Sequence, residues 1–342
     1  MIPLNSHYFY FDDSSRNDFP DAPIDFLRSL EGLTVIDING VDQSRCRVVT
    51  TLIHGNEPSG FIAVHLWLTG QQIPAVNLRI IICNPEAAQL KPLFSHRFIN
   101  NSYDLNRFFS HPRGLPSPVA QRASKIMQLV KEVSPEAIID IHNTSGASPS
   151  FSVSVNDNSQ HLELAALFNQ KIIITELEVG AIMEQDLGAP IITVECGGAN
   201  DKTSHTIATN GLQMFFQKTH VFDNDKLNVI IYKNPVRVAL TNDASVGFAN
   251  QPLATTDITL RQDIEDFNHR TLEKGEFIGW CQSKESNLLS AQNHLGKELI
   301  THLIQYKQGQ LYAASDQQLF MVTNHPEIAT KDCLFYSTPV HS

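Results

Sequence analysis

The stretch VVTTLIHGNE, residues 48–57, joins a strand-like apolar run to two side chains that can bind a metal. β-Branched and apolar residues fill the first six positions, and His54 and Glu57 follow with a glycine and an asparagine between them. Both intervening residue types tolerate left-handed backbone conformations, so a turn here lets the two side chains point at one ion. In isolation the pair is a weak signal, because a loop histidine followed by an acid at a helix N-terminus has the same spacing.

A second stretch, AIIDIH at residues 137–142, offers a further ligand. His142 comes directly after an apolar run typical of a buried strand. Two histidines and one carboxylate form the ligand set of a catalytic zinc ion that keeps one position open for water. We therefore predict one Zn²⁺ per chain, bound by His54, Glu57 and His142. Asp140 points to the same side of a strand as His142 and is a candidate to orient that ring; an acid bonded to backbone is the alternative.

Strand-like and helix-like segments alternate around these two stretches. Strands are predicted at 35–38, 46–53, 78–83, 136–141, 151–155, 171–175 and 191–195. Helices are predicted at 58–68, from a Ser117 cap to near Val133, at 160–169, and after an Asp201 cap. This alternation indicates an α/β layer fold with a largely parallel or mixed sheet.

The pattern changes from about Asn224 onwards. Short β-branched or aromatic runs, broken by turn residues, replace the helical patterns; they lie at 229–232, 236–240, 277–280 and 319–322. We predict a catalytic domain over residues 1–223 and a smaller β-rich domain over residues 224–342.

Composition excludes several classes of function. The chain has 342 residues and a formal net charge of −11, with a pI of about 5.6, so it lacks the basic surface of nucleic-acid-binding proteins or of proteins that bind anionic membranes. No apolar run approaches the ~18 residues of a membrane span, and the N-terminus does not resemble a signal peptide. Five scattered cysteines argue against a disulfide framework. We expect a cytoplasmic protein that acts on a small molecule, and homo-oligomerisation stays open.

Four blocks together resemble one family of enzymes. They are His54-Gly55-Asn56-Glu57, Asp104-Leu105-Asn106-Arg107, Asp140-Ile141-His142-Asn143-Thr144 and Val194-Glu195. In this order they are similar to the succinylglutamate desuccinylase/aspartoacylase family of the zinc-carboxypeptidase-like superfamily. The resemblance covers roughly residues 45 to 200 and implies a three-layer α/β catalytic domain with a mixed sheet.

The resemblance also implies roles for individual residues. Glu195 matches the catalytic glutamate that moves protons between water and the leaving amine, and Arg97 resembles the arginine that polarises the scissile carbonyl. Asn106 and Arg107 resemble the pair that grips a substrate carboxylate, and Asn143 is a further predicted substrate-binding residue.

The sequence departs from the family in one segment. Members that cleave N-acyl amino acids carry another arginine before the catalytic glutamate, but this chain has none between Arg122 and Arg237. The acyl group and the amine of the substrate therefore stay open.

Three functions remain at this point. The first is a zinc-dependent hydrolase that cleaves the amide bond of a small carboxylate-bearing N-acyl compound. The second is a zinc carboxypeptidase that acts on a short peptide. The third is a catalytically degenerate module that binds a metal or a ligand. No GxSxG or GxGxxG motif supports a serine hydrolase or a dinucleotide-binding protein.

Overall fold

The structure is a computed structural model that describes residues 7–99, 102–110, 117–223, 227–241, 244–282, 288–331 and 333–339. Within these ranges, nine strands form one mixed sheet in the order β1-β2-β4-β3-β5-β8-β6-β7-β9. The strands are β1 (Phe9–Phe11), β2 (Thr34–Ile38), β3 (Asp42–Thr51), β4 (Val76–Ile82), β5 (Ala137–Thr144), β6 (Phe151–Ser154), β7 (Lys171–Ile174), β8 (Ile191–Gly198) and β9 (Ile230–Lys233).

The register of β3 and β5 places residues 54–57 and residues 140–142 at the same end of the strands. β3 is parallel to both β4 and β5, and Thr50 lies opposite Asp140. The ends of β3 and β5 therefore lie side by side, and the residues after β3 emerge next to the end of β5. β6 is antiparallel to β8, with Phe151 opposite Glu195. In open α/β sheets, the crevice outside such strand ends is the usual place for a ligand.

The α-helices of the described residues are α1 (Pro23–Ser29), α2 (Ser59–Thr69), α3 (Pro85–Ala88), α4 (Pro118–Glu132), α5 (Ser159–Ala166), α6 (Lys202–Gln217), α7 (Ile300–Leu303) and α8 (Pro326–Lys331). Four of them, α2, α4, α5 and α6, lie at predicted positions, and the others were not predicted. Ser117 caps α4 by accepting a hydrogen bond from the backbone N–H of Ala120. Asp201 caps α6 in the same way through Thr203. Both caps were predicted and are confirmed.

Helices cover both faces of the nine-stranded sheet. Successive side chains of a strand point to opposite faces. On β3, Arg47 donates a hydrogen bond to the carbonyl oxygen of Phe215 in α6, whereas Val48 packs in a buried cluster with Ile126 of α4. α4 and α6 therefore lie on opposite faces. This arrangement confirms the predicted three-layer α/β fold with a mixed sheet.

One strand boundary differs from the prediction in a way that affects the site. β5 extends to Thr144, three residues beyond the predicted end at Ile141. His142 is thus a residue within the strand and does not follow it. Because side chains alternate along a strand, Asp140 and His142 share one face of the sheet.

The C-terminal part of the chain is rich in strands, as predicted. In the part of it that the structure describes, two five-stranded sheets have the orders β13-β18-β19-β10-β15 and β11-β12-β14-β17-β16. Their strands are β10 (Val236–Leu240), β11 (Val246–Ala249), β12 (Ile258–Arg261), β13 (Thr271–Leu272), β14 (Phe277–Cys281), β15 (Leu289–Gln292), β16 (Ile304–Lys307), β17 (Gln310–Ala313), β18 (Gln317–Phe320) and β19 (Phe335–Pro339). Side chains from both sheets, including Val238, Ile258 and Phe335, form a common buried core.

The chain forms two compact units. The first contains the residues up to Asn143 together with 150–172 and 178–231. The second contains 144–149, 173–177 and the residues from Tyr232 onwards. The boundary that we predicted at residues 223/224 stays a prediction. Among the described residues, no helix has the length and apolarity needed to cross a bilayer.

Candidate active site

The three predicted metal ligands meet in the first unit. Nδ1 of His54 lies 2.9 Å from Oε1 of Glu57, and Nδ1 of His142 lies 2.6 Å from Oε2 of the same carboxylate. All three side chains are buried. One potential ligand atom from each lies within 4.8 Å of the others. Glu57 and His142, 85 positions apart in the chain, are thus brought together with His54 in an arrangement that could hold a single cation.

The turn between His54 and Glu57 depends on a glycine. A Cβ atom on Gly55 would lie 2.5 Å from the backbone nitrogen of Ala88, a distance that would force the backbone apart. The Gly55 N–H donates to the carbonyl oxygen of Arg97. Close backbone approach on one side and a hydrogen bond on the other fix this turn, and with it the direction of both ligand side chains.

A carboxylate holds the far nitrogen of each histidine. Nε2 of His54 lies 2.8 Å from Oδ1 of Asp104, and Nε2 of His142 lies 2.8 Å from Oδ2 of Asp140. Asp140 also accepts hydrogen bonds from the hydroxyls of Thr50 and Thr193. Carboxylates on the distal ring nitrogens orient ligating histidines. The two Nδ1 atoms, which face Glu57, are therefore the atoms available to a metal.

The charges of this cluster depend strongly on one another. Burial alone would raise the pKa of Glu57, but His54 and His142 outweigh it and hold that pKa well below its usual range. Burial would lower the pKa of His142, but Asp140 and Glu57 raise it well above its usual range. In the metal-free protein a proton on His142 balances the acids. A divalent cation would supply that positive charge instead, and the nitrogen, oxygen and nitrogen donors suit Zn²⁺.

Arg97 lies at the edge of the cluster and is half-buried. Its Nη1 donates to Oε1 of Glu57 and its Nε to Oδ2 of Asp104, both at 3.1 Å. The guanidinium thus bridges two acids that each contact His54. Its position beside the predicted ligands agrees with a part in the site and leaves the predicted contact with a substrate carbonyl as a prediction.

Glu195 is buried near the cluster without a complete set of partners. It lies in β8 with 8% of its surface exposed, and its Oε2 atom has no hydrogen-bond partner in the described part of the chain. Burial raises the pKa of this carboxyl group to about 7, against the lowering effect of His142. Buried polar atoms are rarely left unpaired, and a carboxyl group that titrates near neutrality can both take up and release a proton.

Cys196 follows Glu195 but is not a nucleophile. Burial raises the pKa of its thiol far above the ordinary value, and Glu195 and Glu57 raise it further. Because the thiolate is the reactive form, this cysteine is an inert core residue, as the sequence suggested.

The predicted carboxylate-binding pair lies on a short 3₁₀ helix, Leu105–Arg107. Asp104 caps it by accepting from the Asn106 N–H, and Oδ1 of Asn106 accepts from the backbone N–H of Ile182. Asn106 is buried, whereas Arg107 is exposed and donates through Nη1 to the Asn106 carbonyl oxygen. The exposed guanidinium of Arg107 is accessible to a carboxylate from solution.

Asn143 has a different position from the other predicted substrate contacts. Its Oδ1 accepts from the Ser59 N–H, and its Nδ2 donates to Oγ of Ser59 and to the carbonyl oxygen of Gly197. Both N–H groups are thus engaged with protein atoms. These contacts make Asn143 a support of the site, and its predicted contact with a substrate stays a prediction.

Three polar residues near the site were not predicted: Ser59, which contacts Asn143, His205, which contacts Ser59, and Thr50, which contacts Asp140. Ser59 is fully buried, and its Oγ lies 2.8 Å from Nδ1 of His205 in α6. The two positions are 146 residues apart, and no local pattern links them. The hydroxyl of Thr50 was also missed, although its alternation with the apolar residues of β3 places it on the same face as Asp140 of β5.

The sequence matches a known catalytic domain across just over half of its length. The match is to the succinylglutamate desuccinylase/aspartoacylase catalytic domain and covers residues 47–218. The chain belongs to this family. The four residues His54, Glu57, His142 and Glu195 all lie within the matched range. Membership of this family of deacylases makes the chain a hydrolase.

Solved structures of the family share the fold across nearly the whole chain. The succinylglutamate desuccinylase from Vibrio parahaemolyticus aligns with a TM-score of 0.59 at 14% identity, covering 94% of this chain and 95% of its own. Murine aminoacylase 3 aligns with a TM-score of 0.55 at 18% identity, covering 87% of this chain and 96% of its own. A succinylglutamate desuccinylase/aspartoacylase from Rhodobacter sphaeroides aligns with a TM-score of 0.54 at 14% identity, covering 90% of this chain and 88% of its own. At these identities the likeness concerns the fold. Among curated proteins, none matches the sequence.

Proposed function

We propose that this protein is a zinc-dependent deacylase that hydrolyses the amide bond of a small N-acyl compound with a free carboxylate. The observation that carries the proposal is the convergence of His54, Glu57 and His142 beside Glu195, one carboxylate oxygen of which has no partner within the described ranges. Family membership supports the deacylase chemistry. The donor set supports the metal, since two imidazoles and one carboxylate leave a coordination position for catalysis.

The metal would be held by Nδ1 of His54, the carboxylate of Glu57 and Nδ1 of His142. When bound, Zn²⁺ supplies Lewis-acid polarisation of a carbonyl oxygen and lowers the pKa of water. Asp104 and Asp140 keep the two rings oriented through their Nε2 atoms. Arg97 keeps Glu57 and Asp104 at a fixed separation.

Glu195 moves the protons of the reaction. Its Oε2 atom is free to accept a proton from the attacking water, and the same carboxyl group then returns that proton to the departing amine. In the metal-free protein burial raises the pKa of this carboxyl group to about 7, and a nearby cation would lower it and favour the form that accepts a proton. General acid–base catalysis of this kind typically contributes about 10²- to 10⁴-fold to the rate.

Arg107 binds the substrate carboxylate. A planar guanidinium binds both oxygens of a carboxylate, and that of Arg107 is exposed. The same contact would serve the C-terminal carboxylate of a short peptide, so a carboxypeptidase is the second candidate.

The test uses metal-free protein loaded with one equivalent of Zn²⁺. Amine release is measured for N-acetyl and N-succinyl amino acids, their methyl esters, and short peptides. We expect Zn²⁺-dependent hydrolysis of at least one free-carboxylate amide and much slower hydrolysis of its ester. Arg107→Ala raises KM for that substrate, whereas Arg28→Ala, which removes an exposed arginine paired with Asp25, leaves KM unchanged.

Three results separate the candidate functions. Hydrolysis of peptides alone would favour a carboxypeptidase. Tight Zn²⁺ binding without hydrolysis of any compound in the panel would favour a binding module. Failure to bind Zn²⁺ at all would overturn the proposed function.

A further inference from the structure

The Asn143 clamp, defined here as Asn143, Ser59 and Gly197, ties together three elements that carry the site. Nδ2 of Asn143 lies 2.8 Å from Oγ of Ser59 and 2.8 Å from the carbonyl oxygen of Gly197, and Oδ1 accepts from the Ser59 N–H at 3.0 Å. These residues belong to β5, to the start of α2 and to the end of β8. One buried amide therefore links segments that are far apart in the chain.

Each member of the clamp lies next to a predicted functional residue. Ser59 is two residues after Glu57, and Gly197 is two residues after Glu195. Asn143 follows His142 directly, and its backbone N–H donates to Oε2 of Glu57 at 3.3 Å. A displacement of the clamp would therefore move two metal ligands and the predicted base relative to one another.

His205 supports the clamp from outside. Its Nδ1 lies 2.8 Å from Oγ of Ser59, and it is carried by α6, which packs against both α2 and β8. Because the Asn143 amide donates to this Oγ, the Ser59 hydroxyl is free to donate its own hydrogen to Nδ1. Ser59 is fully buried, and among the described residues its hydroxyl has no other acceptor. Without His205 this donor would be left unpaired, which is costly in a protein interior.

Two histidines of the first unit that are not predicted ligands, His65 and His161, are buried and contact other groups. Nε2 of His65 contacts the carbonyl oxygen of Pro20, and Nδ1 of His161 contacts Oδ1 of Asn158, which caps its own helix. Neither contact leads to the predicted ligands. His205 differs because its contact continues through Ser59 to Asn143 and then to Glu57.

We propose that His205 is a positioning residue of the metal site, which holds Ser59 so that the Asn143 clamp keeps Glu57, His142 and Glu195 in their relative positions. This inference rests on the proposed function, since it assumes that a metal binds at His54, Glu57 and His142. It predicts that a residue without direct contact to metal or substrate affects metal affinity and turnover.

The test compares His205→Leu with His205→Asn. Leucine removes the acceptor, whereas the amide oxygen of asparagine occupies nearly the position of Nδ1. His161→Leu is the matched control, because it removes a buried histidine with a purely local contact. Each variant is loaded with Co²⁺ in place of Zn²⁺, and the visible absorption spectrum, the Co²⁺ affinity and the thermal stability are measured. The kcat and KM of the Zn²⁺ form are measured on the best amide substrate.

We expect His205→Leu to change the Co²⁺ spectrum, to weaken Co²⁺ binding by about 10-fold and to lower kcat by a similar factor with little change in KM, in line with the lower end of effects seen for outer partners of metal ligands. His205→Asn restores the spectrum and brings affinity to within about 3-fold of the wild type. His161→Leu lowers thermal stability and leaves the spectrum unchanged.

A wild-type Co²⁺ spectrum and affinity in His205→Leu would overturn the inference and leave the proposed function intact. Failure of the wild-type protein to bind Co²⁺ or Zn²⁺ would overturn both. If His205→Leu does not fold, Ser59→Ala and Ser59→Thr replace it. The alanine variant is then expected to weaken Co²⁺ binding and the threonine variant to retain it, and equal binding by the two would overturn the inference.

Discussion

Glu57 and Glu86 are two buried carboxylates of the same compact unit, and their surroundings differ in kind. Glu86, in α3, is 3% exposed and pairs with Arg122 of α4, whose side chain is fully buried. The two carboxylate oxygens lie 2.6 and 2.8 Å from the two terminal nitrogens of the guanidinium. This bidentate pair leaves each oxygen of Glu86 with a charged donor.

Glu57 has no such single partner. Its oxygens face two histidines, the guanidinium of Arg97 and a backbone N–H. Each of those histidines is held on its other side by an acid, and one oxygen of Glu195 has no hydrogen-bond partner among the residues that the structure describes. Burial of charge is thus common to both regions and does not mark a functional site. The distinguishing features are converging donor atoms and a buried acid that the protein itself does not satisfy.

The largest expected effect concerns turnover. Glu195→Gln keeps the shape of the side chain and removes its ability to carry a proton, so kcat of the Zn²⁺-loaded protein should fall by about 10³-fold, within the range for general acid–base catalysis. The measurement is steady-state amine release, with Zn²⁺ content determined in parallel. Undiminished turnover at full Zn²⁺ content would remove Glu195 from the mechanism.

The second prediction concerns the other carboxylate. Glu86→Gln breaks a buried ion pair by removing one charge, and the free energy of unfolding should fall by about 3 kcal/mol, the lower end for such pairs. The change is measured by urea denaturation. Zn²⁺ affinity should stay at the wild-type value, because none of the predicted ligands contacts Glu86. A loss of Zn²⁺ affinity as large as the loss of stability would show that the two regions are not independent.

The third prediction uses the pKa of Glu195. Burial raises this pKa to about 7 from an ordinary value of 4.5, so between these values the folded protein holds a proton that the unfolded chain has released. The stability that this group contributes is complete at low pH and is lost as the pH rises through the folded-state value. Glu195→Gln has no such loss.

Metal-free wild type and Glu195→Gln should therefore diverge in stability with pH. Relative to the variant, the wild type should lose up to roughly 3 kcal/mol of unfolding free energy between about pH 5 and about pH 8. Urea denaturation at a series of pH values checks this. Parallel curves would mean that the carboxyl group of Glu195 titrates at its ordinary pKa.

The smallest effect is expected for an acid that acts through a histidine. Asp104→Asn keeps a hydrogen-bond acceptor for Nε2 of His54 but removes the negative charge. Zn²⁺ affinity should fall by about 10- to 100-fold, the range typical for such partners. Competition with a chelator of known affinity measures it. Glu132→Gln, which alters an exposed acid paired with Arg79, is the control and should bind Zn²⁺ as the wild type does.

The fold and the convergence of His54, Glu57 and His142 could be predicted because local patterns indicate them. The alternation of apolar strands with capped helices indicated the α/β class, and the helix starts at Ser117 and Asp201 follow from side chains that bond to the first backbone N–H groups. The predicted ligands lie just after β3 and in the last residues of β5, near the ends of two adjacent parallel strands, and such ends lie close together.

Long-range contacts of single polar side chains could not be predicted in the same way. The contact of His205 with Ser59 depends on the packing of α6 against α2, which no spacing in the sequence specifies. The hydrogen bonds of Asn143 likewise depend on three elements meeting at one point. An asparagine at the end of a strand does not by itself reveal which groups its amide will bond.

The central claim is that one cation binds between the two Nδ1 atoms and Glu57. Crystals of the protein grown with Zn²⁺ and measured at the zinc absorption edge test it most directly. We expect one anomalous peak per chain, bonded to Nδ1 of His54, the carboxylate of Glu57 and Nδ1 of His142, with Nε2 of each ring still on its aspartate. A peak at another location, bonding through Nε2, or no peak at saturating Zn²⁺ would contradict it.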